Sequence, residues 1–403
     1  MRTGKPCAIV GQSGGPTSAI NAILAGIIEG AVNSQEISCL YGMKNGIEGL
    51  LSEDIVRLDE RFRADMGGLD LLEITPSALL GSCRFPLPKE LDGDGEKIYE
   101  RIFEILEKYN IGYFYYIGGN DSMDTVDKLD RYAKAKGIRV SFIGLPKTID
   151  NDLCLTDHAS GYGSASKYVA TATMEIARDV MSYRLPAVTI VEVMGRDTGW
   201  LGCACGLPKA LYGTGCDLVY LPEGGFSLDS FLMKAQEIMK KKSWVLCGVC
   251  EGISLYGSDD GGVRDAFGHK YLSGIGKLLE NTVRRELGCK ARSIELNLPQ
   301  RCSGHIVSKT DIDESRLVGR RAVELSPTGI SGVMLGYVRQ EGEYGVVIDA
   351  FPASEIANRI KCVPDSFIGD GFITKECVEY LNPLIQGEKE IKYKGGLPVH
   401  YEL

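Results

Sequence analysis

A chain of 403 residues, 44% hydrophobic and 25% charged, is long enough for two domains and ordinary in composition for a soluble globular protein. Its net charge of −9 comes without a basic tail or stripe, so nucleic acid is not an expected partner. No apolar run reaches the roughly 20 residues of a membrane helix, and the first apolar run, Cys7 to Val10, stops at Gly11; neither a membrane nor a secretory leader is expected, and a cytoplasmic location is.

Thirteen cysteines, scattered and odd in number, read as reduced thiols. The one Cys-x-x-Cys, Cys247 to Cys250, lies in an apolar run of strand character. Residues three apart on a strand face opposite ways, and no second pair or nearby histidine completes a zinc site. With only four histidines, a Ser-His-Asp hydrolase has little to stand on.

In chain order, Pro6 to Val10 reads as a strand, Gly11-Gln12-Ser13-Gly14-Gly15-Pro16-Thr17 as a glycine-rich turn, and Ser18 to Val32 as a helix with apolar residues at helical spacing. Unpaired N–H groups at such a helix start bind phosphate, and glycine lets the phosphate approach. The turn fits neither Gly-x-Gly-x-x-Gly nor the Walker pattern. Glu36 to Tyr41 reads as a strand and the charged stretch Asp54 to Asp65 as surface. Arg84 follows a small Gly-Ser turn, as a phosphate clamp or a plain surface arginine would. Helix Glu96 to Tyr109 leads into strand Tyr113 to Ile117, the turn Gly118-Gly119-Asn120-Asp121-Ser122, and a helix through Lys136.

Strand Arg139 to Ile143 then opens into Gly144-Leu145-Pro146-Lys147-Thr148-Ile149-Asp150-Asn151-Asp152. A lysine, a hydroxyl and two carboxylates after a strand end have the layout of an active-site loop in a parallel sheet, although Asp and Asn are also ordinary turn residues. Three polar turns, each after its own strand, favour one ligand crevice. Further on, Ser164 to Val180 reads as a helix, Ala187 to Val193 as a strand ending in Met194-Gly195-Arg196, and Trp244 to Cys250 as a buried strand ending at Glu251. Arg292 to Arg301 reads as a strand and turn, with Val307 to Leu325 helical from about Asp313. A hairpin is expected over 332–349, and Ser354 to Ile360 and Lys375 to Gln386 are helical candidates.

Gly14-Gly15, Arg84 within Gly-Ser-Cys-Arg-Phe-Pro, Gly118-Gly119-Asn120-Asp121, Pro146-Lys147-Thr148-Ile149-Asp150-Asn151-Asp152, Met194-Gly195-Arg196, Glu251, and Arg292 nine residues before Gln300-Arg301 occur in that order. Together they resemble the phosphofructokinase family over about residues 6 to 330. The resemblance implies an α/β fold with two Rossmann-like domains, each with a mostly parallel sheet, and an active site in the cleft between them. It implies a phosphoryl-donor domain of residues 1–150 plus about 303–403, and a fructose 6-phosphate domain of about 151–302. It also implies Mg2+ and phosphoryl transfer to the sugar 1-hydroxyl, in a homodimer or homotetramer.

By the same resemblance, Asp150 is the catalytic base, assisted by Lys147, Asp121 and Arg196. Thr148, Ile149, Met194, Gly195, Arg196, Glu251, Arg292, Leu298, Gln300 and Arg301 are substrate contacts. Gly14, Gly15, Arg84, Gly119, Asn120, Asp121, Ser122 and Lys147 form the donor site. Asn120 stands where many members carry a magnesium-ligating aspartate. Arg184 is the candidate for an arginine that in some members crosses from a neighbouring subunit.

Two positions choose the donor. ATP-using members usually have glycine where this chain has Asp121 and Lys147. A carboxylate at 121 repels a nucleotide α-phosphate, by about 4 kcal/mol for unit charges some 4 Å apart near a surface. Pyrophosphate escapes that penalty, and an ammonium at 147 holds it. Pyrophosphate and fructose 6-phosphate are therefore the expected substrates. ATP is the alternative donor, and a catalytically silent sugar-phosphate-binding subunit the alternative of another class.

Overall fold

A computed structural model describes residues 4–89, 93–182, 184–254 and 274–403. The chain forms two compact units: Met1–Ser164 with Arg301–Ile360 and Gly387–Leu403, and Ala165–Gln300 with Lys361–Gln386.

The first unit is built on a sheet in the order Val346–Pro352, Val333–Arg339, Ser141–Thr148, Ile111–Gly118, Cys7–Gln12, Leu40–Met43, Ile55–Arg57. Its interior pairs are parallel and its two edge strands antiparallel. The interior strands read as near-continuous apolar runs because both faces are covered. Alternate residues feed opposite cores: Val10, Tyr115, Ile117 and Ile143 enter one, and Ile9, Phe114, Tyr116 and Phe142 the other. From the central strand Cys7–Gln12 the chain first crosses to Leu40–Met43 on one side and later returns as Ile111–Gly118 on the other. The loops leaving those two neighbours diverge, and such a switch point leaves a crevice at the strand carboxyl ends.

The second unit carries four parallel strands in the order Lys290–Glu295, Ala187–Val193, Trp244–Cys250, Leu218–Tyr220. Glu251 and Met194 thus follow adjacent strands in matching register, Val193 opposite Cys250.

Several expectations are corrected. The unit boundary falls after Ser164 rather than near 150, because Ser160–Gly161 pairs with Lys147–Thr148 and ties that segment to the first sheet. Lys361–Gln386 belongs to the second unit instead of extending the first: Trp200 donates Nε1–H to the Lys361 carbonyl at 2.8 Å and its ring meets Phe367 and Tyr380. The strand expected to end at Ile143 runs on to Thr148, so Pro146 and Lys147 are sheet residues. The stretch Asp54 to Asp65, read as surface, contains helix Leu58–Ala64, which buries Leu58 and Phe62. Ser354 to Ile360 makes only a short turn at Ala353–Glu355, and Asn358 takes a left-handed φ of 61° that a helix does not admit. An unforeseen helix, Trp200–Tyr212, holds Pro208 together with Gly202, Ala204, Gly206 and Ala210, which masked its periodicity.

Cys7 and Cys39 are paired as a disulfide rather than reduced; the strand register sets Ala8 opposite Leu40, so the preceding segments adjoin with Cα atoms 4.8 Å apart. Cys247 and Cys250 are free and buried, and no cluster of three or more His, Cys, Asp or Glu suited to a metal exists among the described residues. Nor, among them, is any helix long and apolar enough to cross a membrane.

Candidate active site

The first unit's crevice is lined where three strands end. After Cys7–Gln12 the chain turns through Gly14 at φ +75°, its N–H donating to the Cys83 carbonyl at 3.0 Å and its carbonyl accepting from Ser82 Oγ at 2.5 Å. The 82–84 turn is thereby fastened to the glycine turn, and a cavity of about 240 Å³ opens between Gly14, Gly15, Pro16, Ser82, Cys83, Arg84 and Arg301. Glycine is required at residue 14 and leaves room for an arginine at residue 15. A Cβ at residue 14 would stand 3.2 Å from Lys147 Nζ, in a left-handed conformation besides, and one at 15 would stand 3.0 Å from Arg301 Nη1.

Lys147 reaches this turn from strand Ser141–Thr148, two places away in the sheet across Ile111–Gly118. Its ammonium donates to the Gly15 carbonyl at 2.6 Å, and the side chain is buried. Burial pulls its pKa down to about 8; Asp150 pushes the other way, and Arg301 and Arg84 reinforce the depression. Arg301 is lowered by its own burial and by Arg84. Three cations are therefore held within electrostatic range of one another beside an exposed carboxylate, Asp150. Such like-charge crowding costs free energy unless an anion relieves it.

The turn after Ile111–Gly118 supplies amide and acid groups. Helix Asn120–Lys136 begins immediately, with Gly119 as its cap and Asp121 exposed in its first turn. Ser122 donates to Ser13 Oγ at 3.0 Å, joining this turn to the glycine turn. Beyond Lys147, Thr148 Oγ1 accepts the Asp150 N–H at 3.1 Å, Ile149 is buried, and Asn151 sits at φ +53° with its Oδ1 accepting the Ala159 N–H at 3.0 Å.

Asn120 is the group that fits a metal. Its Nδ2 donates to the Arg359 carbonyl, which leaves Oδ1 buried with no hydrogen-bond partner. A single orphaned amide oxygen with Asp121 beside it suits a cation that brings most of its ligands as substrate phosphate and water, which is how Mg2+ is commonly bound. Asp124 is engaged by Lys128 at 2.5 Å and Asn358 at 3.3 Å.

In the second unit, Met194 N–H donates to Gln300 Oε1 at 3.2 Å and Gly195 N–H to Glu251 Oε1 at 3.4 Å. Arg196 Nε is buried without a partner, as befits a guanidinium that awaits an anion. Arg292 does not join them. It pairs with Thr189, five residues before Met194, so it lies roughly 17 Å back along the strand. Leu298 is exposed, and Arg301, expected among the sugar-phosphate groups, lines the first unit's cavity. Ser13 and Ser82 escaped notice because nothing local marks them; their partners are 109 and 68 residues distant.

A parallel sheet whose switch point gathers phosphate-type turns, a buried lysine and paired arginines defines a phosphoryl-transfer class of protein. The phosphofructokinase family model matches residues 7–325. The chain is 37% identical to the pyrophosphate–fructose 6-phosphate 1-phosphotransferase of Halomonas elongata, over 97% of this chain and 94% of that one. It is 31% identical to a sulfofructose kinase of Alkalicoccus urumqiensis, over 92% and 94%. The crystal structure of a pyrophosphate-dependent phosphofructokinase from Nitrosospira multiformis superposes with a TM-score of 0.88 at 35% identity, over 99% of this chain and 96% of that one. This chain belongs to the phosphofructokinase family.

Proposed function

We propose that the chain transfers a phosphoryl group from inorganic pyrophosphate to the 1-hydroxyl of fructose 6-phosphate, giving fructose 1,6-bisphosphate reversibly, a step of glycolysis and gluconeogenesis. The observation that carries this reading is the cationic cavity of the first unit, where Lys147 reaches the Gly14–Gly15 turn beside Arg84 and Arg301. Relatives named for the pyrophosphate reaction support it.

In this reading Gly14, Gly15, Arg84, Gly119, Asn120, Asp121, Ser122 and Lys147 hold the donor. Bound pyrophosphate relieves the mutual repulsion of the three cations and draws Lys147 fully into its charged form. Asp121, exposed at the helix start, turns away a donor with a further phosphate. Met194, Gly195, Arg196, Glu251 and Gln300 hold the sugar phosphate, the Arg196 fork gripping its dianion. Asp150 accepts the 1-hydroxyl proton as the new P–O bond forms, and Lys147 neutralises charge on the transferring group. Asn120 Oδ1 would help hold an Mg2+ that arrives with pyrophosphate, and the ion would supply charge neutralisation to the phosphates. Thr148, Ile149 and Leu298 orient the acceptor. Arg292 and Arg184 serve the site of a second copy, in a homodimer or homotetramer, which accords with the distance of Arg292 from Met194 on its own sheet. A cytoplasmic location is part of this reading.

The test is a forward and reverse assay with pyrophosphate and ATP as donors and fructose 6-phosphate and sedoheptulose 7-phosphate as acceptors. Turnover with pyrophosphate and none with ATP is expected; ATP turnover alone would reverse the donor assignment. Binding of fructose 6-phosphate without turnover of either donor would mark a silent subunit. The 31% identity to a sulfofructose kinase recommends the sulfonate analogue as a further acceptor in the same assay.

A further inference from the structure

We propose that His158 is a positioning residue for Lys147 and Asp150: gripped at both ring nitrogens and stacked on Tyr337, it fixes the 156–161 bracket that holds the 147–152 segment in place. This rests on the roles given to Lys147 and Asp150 above.

His158 is buried, 2% exposed. Its Nδ1 lies 2.9 Å from Asp157 Oδ2 and its Nε2 2.8 Å from Glu314 Oε2. Two carboxylates at two ring nitrogens require both nitrogens to donate, so the ring is an imidazolium. Burial alone would depress its pKa; the Asp157 and Glu314 carboxylates outweigh burial and hold it at about 9. Arg339, 3.0 Å from Asp157, and Tyr344, 2.9 Å from Glu314, complete the shell, with buried Asp311 close by. The ring lies flat on Tyr337, centroids 4.5 Å apart and planes within 1°.

Tyr337 also holds the bracket directly: its hydroxyl exchanges a 2.7 Å hydrogen bond with Ser160 Oγ, and its backbone bonds Thr156 Oγ1 and Asp157 N–H. The bracket in turn carries the catalytic loop: Ser160 pairs with Lys147 and Gly161 with Thr148, while Ala159 N–H holds Asn151 Oδ1. The ladder that fixes strand Ser141–Thr148 against Ile111–Gly118 ends at Pro146, so from Lys147 onward these two pairs and the Asn151 bond hold the chain. Loosening the bracket would let the segment from Lys147 swing and carry its ammonium off Gly15. A buried ion cluster is a poor device for stability but a good one for choosing a single arrangement. Its location behind the one strand that ends in the acid–base groups is what such a device needs.

The experiment compares wild type, His158→Gln, Tyr337→Phe and Asp150→Ala by steady-state kinetics with pyrophosphate and by hydrogen exchange of the free enzyme. Tyr337→Phe keeps the ring stack and drops the hydroxyl's bond to Ser160 and its contact with Ser315, a smaller change than His158→Gln that keeps the test falsifiable should the histidine variant not fold. Peptides spanning 145–163 should lose about tenfold or more of their protection, while strands Cys7–Gln12 and Ile111–Gly118 keep theirs. In His158→Gln, kcat should fall about 100-fold with KM near wild type, and Tyr337→Phe should fall less in the same pattern. Unchanged protection of 145–163, or loss spread evenly over the first unit, would overturn the proposal. So would a rise in KM with kcat intact. If wild type ignores pyrophosphate yet the exchange pattern holds, the functional reading fails and the positioning of the loop stands. An inactive Asp150→Ala beside fully active His158→Gln and Tyr337→Phe sinks the positioning alone.

Discussion

The Lys147–Asp152 loop and the Met194–Arg196 turn are both polar segments at the end of a buried parallel strand, yet they are held by opposite means. The first is backed by charges: a buried imidazolium, two carboxylates and an arginine behind it, and a lysine depressed to about 8 within it. The second is held by backbone packed against backbone. A Cβ on Gly252 would lie 2.0 Å from the Arg196 carbonyl oxygen, and one on Gly195 2.7 Å from that of Thr198. On the proposed function, a loop that moves a proton and a phosphoryl group needs groups whose charge its surroundings tune. A turn proposed to grip a fixed phosphate ester needs a rigid frame, which close glycine contacts supply.

The largest effect should fall on the charged loop. Asp150→Ala removes the proton acceptor and should lower kcat by about 10²–10⁴-fold, with the fructose 6-phosphate dissociation constant, measured by calorimetry, largely unchanged. Near-normal turnover would show that another group takes the proton. Lys147→Gly, next in size, should cost about 10²–10³-fold in the pyrophosphate rate while sugar binding stays put. Equal loss of both would make the lysine a structural brace. Pairing it with Asp121→Gly should give ATP some purchase, since the repelling carboxylate is gone.

The backbone-held turn should respond differently. Gly252→Ala forces the Arg196 carbonyl aside by more than an ångström, and with it the guanidinium. KM for fructose 6-phosphate should rise about 100-fold, with kcat at saturation much less affected and the pyrophosphate KM unmoved. A fall in kcat at unchanged KM would erase the distinction between the two segments.

How far the sequence reaches follows the same division. The buried strands were legible because they are continuous apolar runs, and Ala187–Val193 and Trp244–Cys250 needed no correction. The glycine turns and Lys147 were visible from local chemistry, and resemblance to a family then named their roles. What stayed hidden depends on contacts distant in sequence. Ser82 closing on Gly14, Glu314 on His158, and Trp200 drawing Lys361–Gln386 into the second unit have no local signal. Thr148 as the end of a strand, not the middle of a loop, was equally invisible, because a Pro-Lys-Thr run has no strand periodicity.

The smallest effect, and the one most particular to the charged loop, is its dependence on pH. His158 is raised from 6.5 to about 9 in the folded chain, so the folded form holds a proton that the unfolded form has lost. Its contribution to stability is complete below about pH 6.5 and disappears as pH climbs through about 9. Lys147 is lowered from 10.5 to about 8, so between those values the unfolded form binds the extra proton and stability gains with rising pH. From pH 7 to 8 the histidine slope leads, and thermal midpoints should drift down by a few degrees; from 8 to 9 the lysine opposes it, while the buried thiols of Cys203, Cys205, Cys247 and Cys250, pushed well up by their surroundings, add to the fall. His158→Gln should abolish most of the first slope, and Lys147→Met should steepen the fall above pH 8. In activity the same lysine should give kcat/KM for pyrophosphate an alkaline limb near pH 8, falling about tenfold per unit. Pre-bound pyrophosphate should shift that limb upward, since the anion stabilises the ammonium; a limb that ignores the donor would assign the titration to some other group.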